Sequence, residues 1–347
     1  MSVLPSVAIV ILNYNGNHLL QQFLPFVLQS TYINKKVIVA DNASTDESVN
    51  WLQQNYSIIK IIKLPCNYGF AKGYNEALKQ IEADYYVLLN SDIEVSLNWI
   101  EPIIELMESD KMIAACQPKI LSYKQRDMFE YAGAGGGWID RLGYPFARGR
   151  IFNICEEDKG QYDTTEEVFW ASGAAMFLRA TAYYKIKGLD NYFFAHQEEI
   201  DLCWRLQLEG YKIVSCPSSV VYHVGGGTMS YKDKRKAFLN HRNNLIMLYK
   251  NMPIKTLLWL IPFRVWLDGT YALINIFSGN YRYTFSVIKA QVGFFKWALF
   301  YRRQSIFPVK RRKIFKGIFK GSIVWGFFWK KKKTFKEIIT QTSIFVQ

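Results

Sequence analysis

Along the first 120 residues, runs of apolar residues alternate with stretches whose apolar positions recur every three to four residues. Val7-Ala8-Ile9-Val10-Ile11-Leu12 is apolar throughout, the pattern of a strand buried on both faces. Strands of the same kind are predicted at 37–40, 58–62 and 85–89, with helices near 18–29, 46–54 and 70–82. Ser96 is expected to cap a further helix carrying Trp99, Ile100, Ile103, Ile104 and Met107 on one face. This strand–helix repetition predicts an α/β fold with a mostly parallel central sheet covered on both faces. Such sheets bind ligands at the carboxyl ends of their strands.

Those ends are polar here. The first strand runs into Asn13-Tyr14-Asn15-Gly16 and the second into Asp41-Asn42-Ala43-Ser44-Thr45-Asp46. The third leads to Asn67-Tyr68-Gly69-Phe70-Ala71-Lys72-Gly73-Tyr74-Asn75, and the fourth to Asn90-Ser91-Asp92. Turns favour such residues in any case. Four such loops in succession, with Asp41 and Asp92 among them, make a polar rim suited to a ligand. Residues 121–165 are glycine-rich and aperiodic, which predicts a long loop insertion lining or covering the site. Residues 168–178 read as a strand kinked at Gly173, where a glycine marks a close approach.

Residues 193–211 carry the most chemistry. Glu198, Glu199 and Asp201 open a helix, where carboxylates suit the dipole, and Gly210 closes it. Asp201 and Arg205 are i,i+4 partners, as on a well-capped surface helix. Glu198 and Glu199 follow Tyr192-Phe193-Phe194, and a carboxylate beside apolar rings acquires a raised pKa and works as a base. A further strand leads to His223, which a structural role would also explain. Gly225-Gly226-Gly227-Thr228 follows, as expected of a loop that closes over a ligand.

Half of the 347 residues are hydrophobic and 21% are charged, which supports a sizeable core and excludes a disordered chain. Cys66, Cys116, Cys155, Cys203 and Cys216 fall in no metal-binding spacing, which favours a reducing compartment. Met1-Ser2-Val3-Leu4-Pro5 lacks the features of a secretory signal. The net charge of +14 is uneven: residues 250–347 hold 19 Lys and Arg against Asp268 and Glu337, and the remainder is slightly acidic.

Six of these segments, in order, resemble the motifs of the family-2 inverting glycosyltransferases of GT-A fold: 10–15, 40–46, 67–75, 88–92, 172–174 and 198–205. The likeness spans 5–245 and points to the bacterial rhamnosyltransferase and surface-polysaccharide branch. It implies a Rossmann-like GT-A domain at 1–249 and a nucleotide-sugar donor, a dTDP- or UDP-sugar. By the same resemblance Asp41 receives the N–H of uracil or thymine, while Asn13, Asn15 and Asn67 line the nucleoside pocket. Gly69, Lys72, Asn75, Asn90, Ser91 and Gly173 join them on the donor side. Asp92 is implied to bind Mg²⁺ or Mn²⁺ on the donor diphosphate, with His223 completing that site. Glu199 is implied as the catalytic base and Glu198 as the adjacent candidate. Two positions depart from the family pattern: Asn90 replaces the first Asp of the DXD motif, and Glu199 stands where Asp is usual.

The tail, 250–347, is expected to be helical, basic and aromatic. Residues 256–277 are long enough to span a bilayer, but they include Arg264 and Asp268. Basic clusters at 310–313 and 330–333 are interleaved with Phe and Trp, which predicts attachment to an anionic membrane surface. Core packing or oligomerisation is the other reading of the tail; nucleic acid is not expected, because the body is not basic. These expectations describe a metal-dependent transferase, peripheral on the cytoplasmic face of the cell membrane. It would move a sugar, rhamnose for instance, to a lipid-linked or growing surface glycan. A non-catalytic membrane scaffold is the competing reading. A sugar nucleotidyltransferase lacks support, since Asn13-Tyr14-Asn15-Gly16 is not a basic phosphate loop.

Overall fold

The computed structural model describes residues 4–225, 234–277, 281–308 and 315–340. The expected loop at 226–228 and the basic cluster at 310–313 lie outside them. Strand β1 (Val7–Asn13) sits inside the main sheet because both of its faces are apolar. Ala8 and Val10 join one core, and Val7, Ile9 and Ile11 join the core on the opposite face. The chain continues through α1 (Asn17–Leu28), β2 (Lys35–Asp41), α2 (Ser48–Asn55), β3 (Lys60–Lys63), α3 (Gly69–Leu78) and β4 (Tyr85–Leu89). Strands β1 to β4 are mutually parallel, with β1 between β2 and β4. The gap between the two outward turns of the chain therefore opens at the carboxyl end of β1.

Beyond β4 the sheet becomes mixed. After β5 (Ile93–Val95), helix α4 (Glu101–Ser109) precedes β6 (Ile113–Ser122). Helix α4 starts later than Ser96 suggests: Pro102 lies in its first turn, and the Ser96 hydroxyl donates to the Val220 carbonyl instead. Residues 121–165 are not a loop. They form β7 (Gly137–Asp140), β8 (Pro145–Ala147), β9 (Arg150–Ile151) and β10 (Ile154–Cys155), a small antiparallel sheet with its own core around Phe129, Phe146 and Ile151. Strands this short carry too few residues to show a period. Next come β11 (Glu166–Glu167) and β12 (Ala175–Arg179), the latter antiparallel between β4 and β6, then α5 (Ala180–Lys185), α6 (Glu198–Leu208) and β13 (Lys212–His223). The main sheet runs β11-β13-β6-β12-β4-β1-β2-β3, with β5 on β13. The strand expected over 168–178 is thus confined to its second half.

The tail packs on this body. Helix α7 (Lys234–Asn251) leads into the tail, which comprises α8 (Ile254–Phe277), α9 (Tyr281–Lys296), β14 (Ile318–Phe319) and α10 (Phe335–Ile339). Strand β14 pairs in parallel with β7, and Phe335 fills the core of the small sheet. By length and composition α8 could cross a membrane. Two of its three charges, however, point into the protein: Arg264 donates to the Leu142 carbonyl at 2.6 Å and stacks on Tyr144, whose hydroxyl donates to Asp268 at 2.9 Å.

Asp201 and Arg205 are not on a surface. Both are buried, 2.8 Å apart, and Arg205 also donates to the carbonyls of Ile186 and Gly188. The Lys250 ammonium, at the end of α7, closes the network with contacts of 2.5 Å to Asp190 and 2.9 Å to Asp201. Removing one partner from a buried ionic network leaves charge without compensation, at a cost of about 3–5 kcal/mol. Lys250→Met is expected to lower the unfolding free energy by about that amount, read as a fall in the urea midpoint. An unchanged midpoint would show that the network carries no stability.

Candidate active site

Four strand ends meet at one edge of the sheet. Asn13, at the end of β1, is fully buried and directs its amide to Asp41 Oδ1 at 3.3 Å and Ser44 Oγ at 3.1 Å. Parallel pairing sets these ends level, with Asn13 opposite Asp41 in register. Asp41 Oδ2 accepts the Ser44 backbone N–H at 3.1 Å. Each carboxylate oxygen so keeps lone-pair capacity for a ligand donor. Asn13 Oδ1 is buried with no hydrogen-bond partner among the described residues. A buried acceptor left open in this way calls for a donor from outside the protein.

Asn15 takes a left-handed backbone, φ 51°, and its side chain accepts the Thr45 N–H at 2.7 Å. Asn67 is used locally, accepting from the Asn42 amide at 3.1 Å and the Gly69 N–H at 2.9 Å. Gly69 has φ +72°, and a side chain there would fall 2.6 Å from the carbonyl oxygen of Phe194. Lys72 lies over the Tyr68 ring at 3.9 Å. Asn75 is turned elsewhere: its amide donates to the Leu189 carbonyl and Asn191, and its oxygen accepts from Leu189 N–H and the Tyr183 hydroxyl.

Past β4, Asn90 N–H is bound to the Ala174 carbonyl at 2.9 Å, and Ser91 lies near Gly16. Asp92 is buried, and pairing of β5 with β13 sets His223 opposite Ile93, the residue after it. The His223 ring spans two carboxylates. Its Nε2 lies 3.2 Å from Asp92 Oδ1, and its Nδ1 lies 2.9 Å from Glu130 Oε2, out of line for a hydrogen bond. Burial alone would lower the imidazole pKa, but Asp92 and Glu130 outweigh it and push it up to about 10. Sequence reasoning missed Glu130, which sits in the aperiodic stretch where no pattern marks it.

Glu198 and Glu199 begin α6 after a strained approach: Phe194, His196 and Gln197 all have positive φ, at 65°, 69° and 73°. Asn243 of α7 holds that approach, its amide donating to the carbonyls of Phe193, Ala195 and His196 at 2.9, 2.9 and 2.8 Å. Gly173 lies between this segment and α3. A side chain on Gly173 would lie 3.0 Å from the Phe70 ring and 3.6 Å from Glu199 Cβ. Glu198 Oε2 and Glu199 Oε2 are buried without hydrogen-bond partners among the described residues. Burial raises both carboxyls: Glu198 well above its usual range, helped by the neighbouring Glu199 charge, and Glu199 to about 7.

This arrangement matches a known family over more than half of the chain: the profile of "Glycosyl transferase family 2" covers residues 8–183. The chain belongs to glycosyl transferase family 2. It is 24% identical over 289 residues to the N-acetylglucosaminyl-diphospho-decaprenol L-rhamnosyltransferase of Mycobacterium tuberculosis, across 78% of this chain and 91% of that one. It is 25% identical to the rhamnosyltransferase WbbL of Escherichia coli, across 54% of this chain and 72% of that one. Among solved structures it is similar to GalNAc-T7 in complex with UDP, GalNAc and Mn²⁺: TM-score 0.55, 15% identity, 72% of this chain and 48% of that one. The fold is thus GT-A, and this family-2 protein is a glycosyltransferase of the hexosyltransferase class.

The raised Glu199 pKa has a cost in stability. A carboxyl raised on folding contributes stability below its unfolded pKa, and this is lost as pH rises through the folded value. For Glu199 that window runs up to about 7. Glu199→Gln is therefore expected to raise the melting temperature relative to wild type at pH 8 and to leave it nearly unchanged at pH 4. Equal shifts at both pH values would mean that the Glu199 pKa is not raised on folding.

Proposed function

We propose that this family-2 transferase uses Glu199 to deprotonate an acceptor hydroxyl while a sugar leaves a nucleoside diphosphate with inversion. The observation that carries the reading is the half-buried Glu199, whose Oε2 is enclosed without a hydrogen-bond partner among the described residues, whose pKa burial raises to about 7, and which lies next to Gly173 at the rim of the nucleotide edge. At that pKa the group is a base in neutral solution and still basic enough to take a proton. The acceptor oxygen forms its bond to the anomeric carbon as its proton passes to Glu199. The bond from that carbon to the diphosphate oxygen breaks, and its electron pair leaves with the nucleotide. Glu198 beside it is raised too, by burial and by the Glu199 charge, which opposes two adjacent charges on the pair.

On the donor side, Asp41 and Asn13 Oδ1 present acceptors to the N–H of a uracil or thymine ring. Asp92 is the side chain that would hold a divalent ion, and His223, charged between Asp92 and Glu130, would join it only by giving up its Nε2 proton. Among the described residues no group of three or more His, Cys, Asp or Glu side chains is placed to hold one alone. The donor set therefore fits Mg²⁺ or Mn²⁺ with the diphosphate and water as remaining ligands, the usual habit of these ions. Such an ion stabilises charge on the leaving diphosphate. The rhamnosyltransferase relatives support a dTDP-rhamnose donor and a lipid-linked or growing surface glycan as acceptor.

A membrane site accounts for the outside of the tail. Leu258, Trp259, Trp266, Phe285, Val292, Leu299 and Phe300 are exposed along α8, α9 and the turn after α9. Lys255, Lys289, Lys296, Arg302 and Arg303 are exposed among them. Apolar surface of this extent with basic neighbours suits the interface of an anionic bilayer. The protein then works at the cytoplasmic leaflet, where the acceptor lipid is presented.

Binding of UDP-, GDP- and dTDP-sugars with Mn²⁺ or with chelator tests the donor side. One donor is expected to bind in a metal-dependent way and to be lost in Asp92→Ala; no binding of any donor would sink the reading. Glu199→Gln is expected to keep donor binding and lose about 10²–10⁴-fold in turnover, the usual contribution of a general base. Full turnover in that variant would remove Glu199 from the role. Trp259→Glu combined with Trp266→Glu is expected to abolish sedimentation with phosphatidylglycerol vesicles; retained sedimentation would place the membrane contact elsewhere.

A further inference from the structure

Where α7 passes the segment that carries Glu199, a pocket of about 370 Å³ is lined by Lys234, Arg235, Phe238, Phe285, Ser286 and Lys289. Among the described residues its walls hold three cations, two rings, one hydroxyl and no acid. The Arg235 guanidinium lies 4.3 Å over the Phe194 ring. The Phe194 carbonyl accepts the Phe70 N–H at 2.6 Å, and the Phe70 ring and Glu199 Cβ both face Gly173. The pocket therefore adjoins the candidate base through a short, continuous set of contacts. On its other side Phe285 belongs to the exposed apolar row of α9, with Ile288 and Val292. The cations stand between a carboxyl that would meet a sugar hydroxyl and a surface that would meet lipid.

A molecule that reaches both has a sugar at one end, a hydrocarbon at the other and negative charge between them. Two linked phosphates match three cations better than one phosphate does, and charge-assisted contacts of this kind are the strong ones. The donor's own diphosphate belongs with Asp92 and His223, which share no lining residue with this pocket. We propose that Lys234, Arg235 and Lys289 hold the diphosphate of an isoprenoid-diphosphate-linked acceptor, with its first isoprene units against Phe238 and Phe285. The proposal rests on the reading above that the acceptor is lipid-linked. The name of the Mycobacterium tuberculosis relative already carries a diphospho-decaprenol; what is added here is the pocket and the residues that recognise such a linkage in this chain.

The test uses the full chain and three probes: farnesyl diphosphate, farnesyl monophosphate, and the preferred nucleoside diphosphate with Mn²⁺. Wild type is expected to bind farnesyl diphosphate at least about tenfold more tightly than the monophosphate. The triple variant K234A/R235A/K289A is expected to lose that preference and to bind the nucleotide as wild type does. All three side chains are exposed, and an unchanged melting temperature checks the fold. The charge-preserving variant K234R/K289R is expected to retain diphosphate binding. Equal diphosphate affinity in wild type and the triple variant overturns the proposal, as does a parallel loss of nucleotide binding. So does a loss of phosphatidylglycerol vesicle binding that farnesyl diphosphate fails to compete with, since the cations would then serve headgroups. Normal nucleotide binding without a diphosphate preference defeats this inference alone; absence of nucleotide binding in wild type defeats the function proposed above.

Discussion

The Lys250 ammonium reaches no solvent and is shared by two buried carboxylates, Asp190 and Asp201. Much of the acceptor side depends on that contact. Asp201 lies one turn into α6, whose first residues are Glu198 and Glu199, and Asp190 precedes the strained approach to it. Asn251 adds a bond to Asp201, and Ile306 N–H, farther down the tail, adds one to Asp190. Burying these charges is expensive, and only their mutual pairing offsets the cost. What the pairing secures is position: the end of α7 is fixed to the start of α6, and Asn243 on the same helix then holds the left-handed backbone at 194–197 by three carbonyls. Backbone in such a conformation persists only where its surroundings over-determine it.

The two halves of the site are built by different means. On the nucleotide side, regular parallel pairing sets Asn13 and Asp41 level, and short turns do the rest. On the opposite side an irregular loop is clamped by α7, the helix that leads into the tail. The carboxyls there are raised chiefly by burial, which outweighs the backbone donors that reach them. In the reading proposed above, stability is given up at Glu199 so that a base is available near neutrality, a trade common at reactive centres.

This division also decides what the sequence alone discloses. Strands β1, β2 and β4 are legible because each is a continuous apolar run ending in Asn or Asp, and those endings do gather at one edge. The helical, basic, aromatic character of the tail is legible from composition. Its packing is not, because Lys250 meets Asp190 across 60 residues of chain and Asp201 across 49. From i,i+4 spacing, Asp201 and Arg205 look like a surface pair, and only the third dimension shows them buried. The small sheet is hidden for another reason: β9 and β10 have two residues each, and the partner β14 comes from far down the chain. Glu130 goes unseen with it, although it lies against His223.

The carbonyl of Phe194 closes the start of α3 by accepting Phe70 N–H, and Gly69 leaves no room between them. The loop that follows the nucleotide edge and the loop that delivers the carboxyls are therefore one mechanical part. A substitution that reshapes the donor pocket by moving residues 67–70 must move 194 as well. Donor and acceptor preference cannot drift independently through this contact. A lineage changing its sugar would be expected to show paired replacements on both sides of it, and an engineer altering the donor should randomise 193–197 together with 67–70.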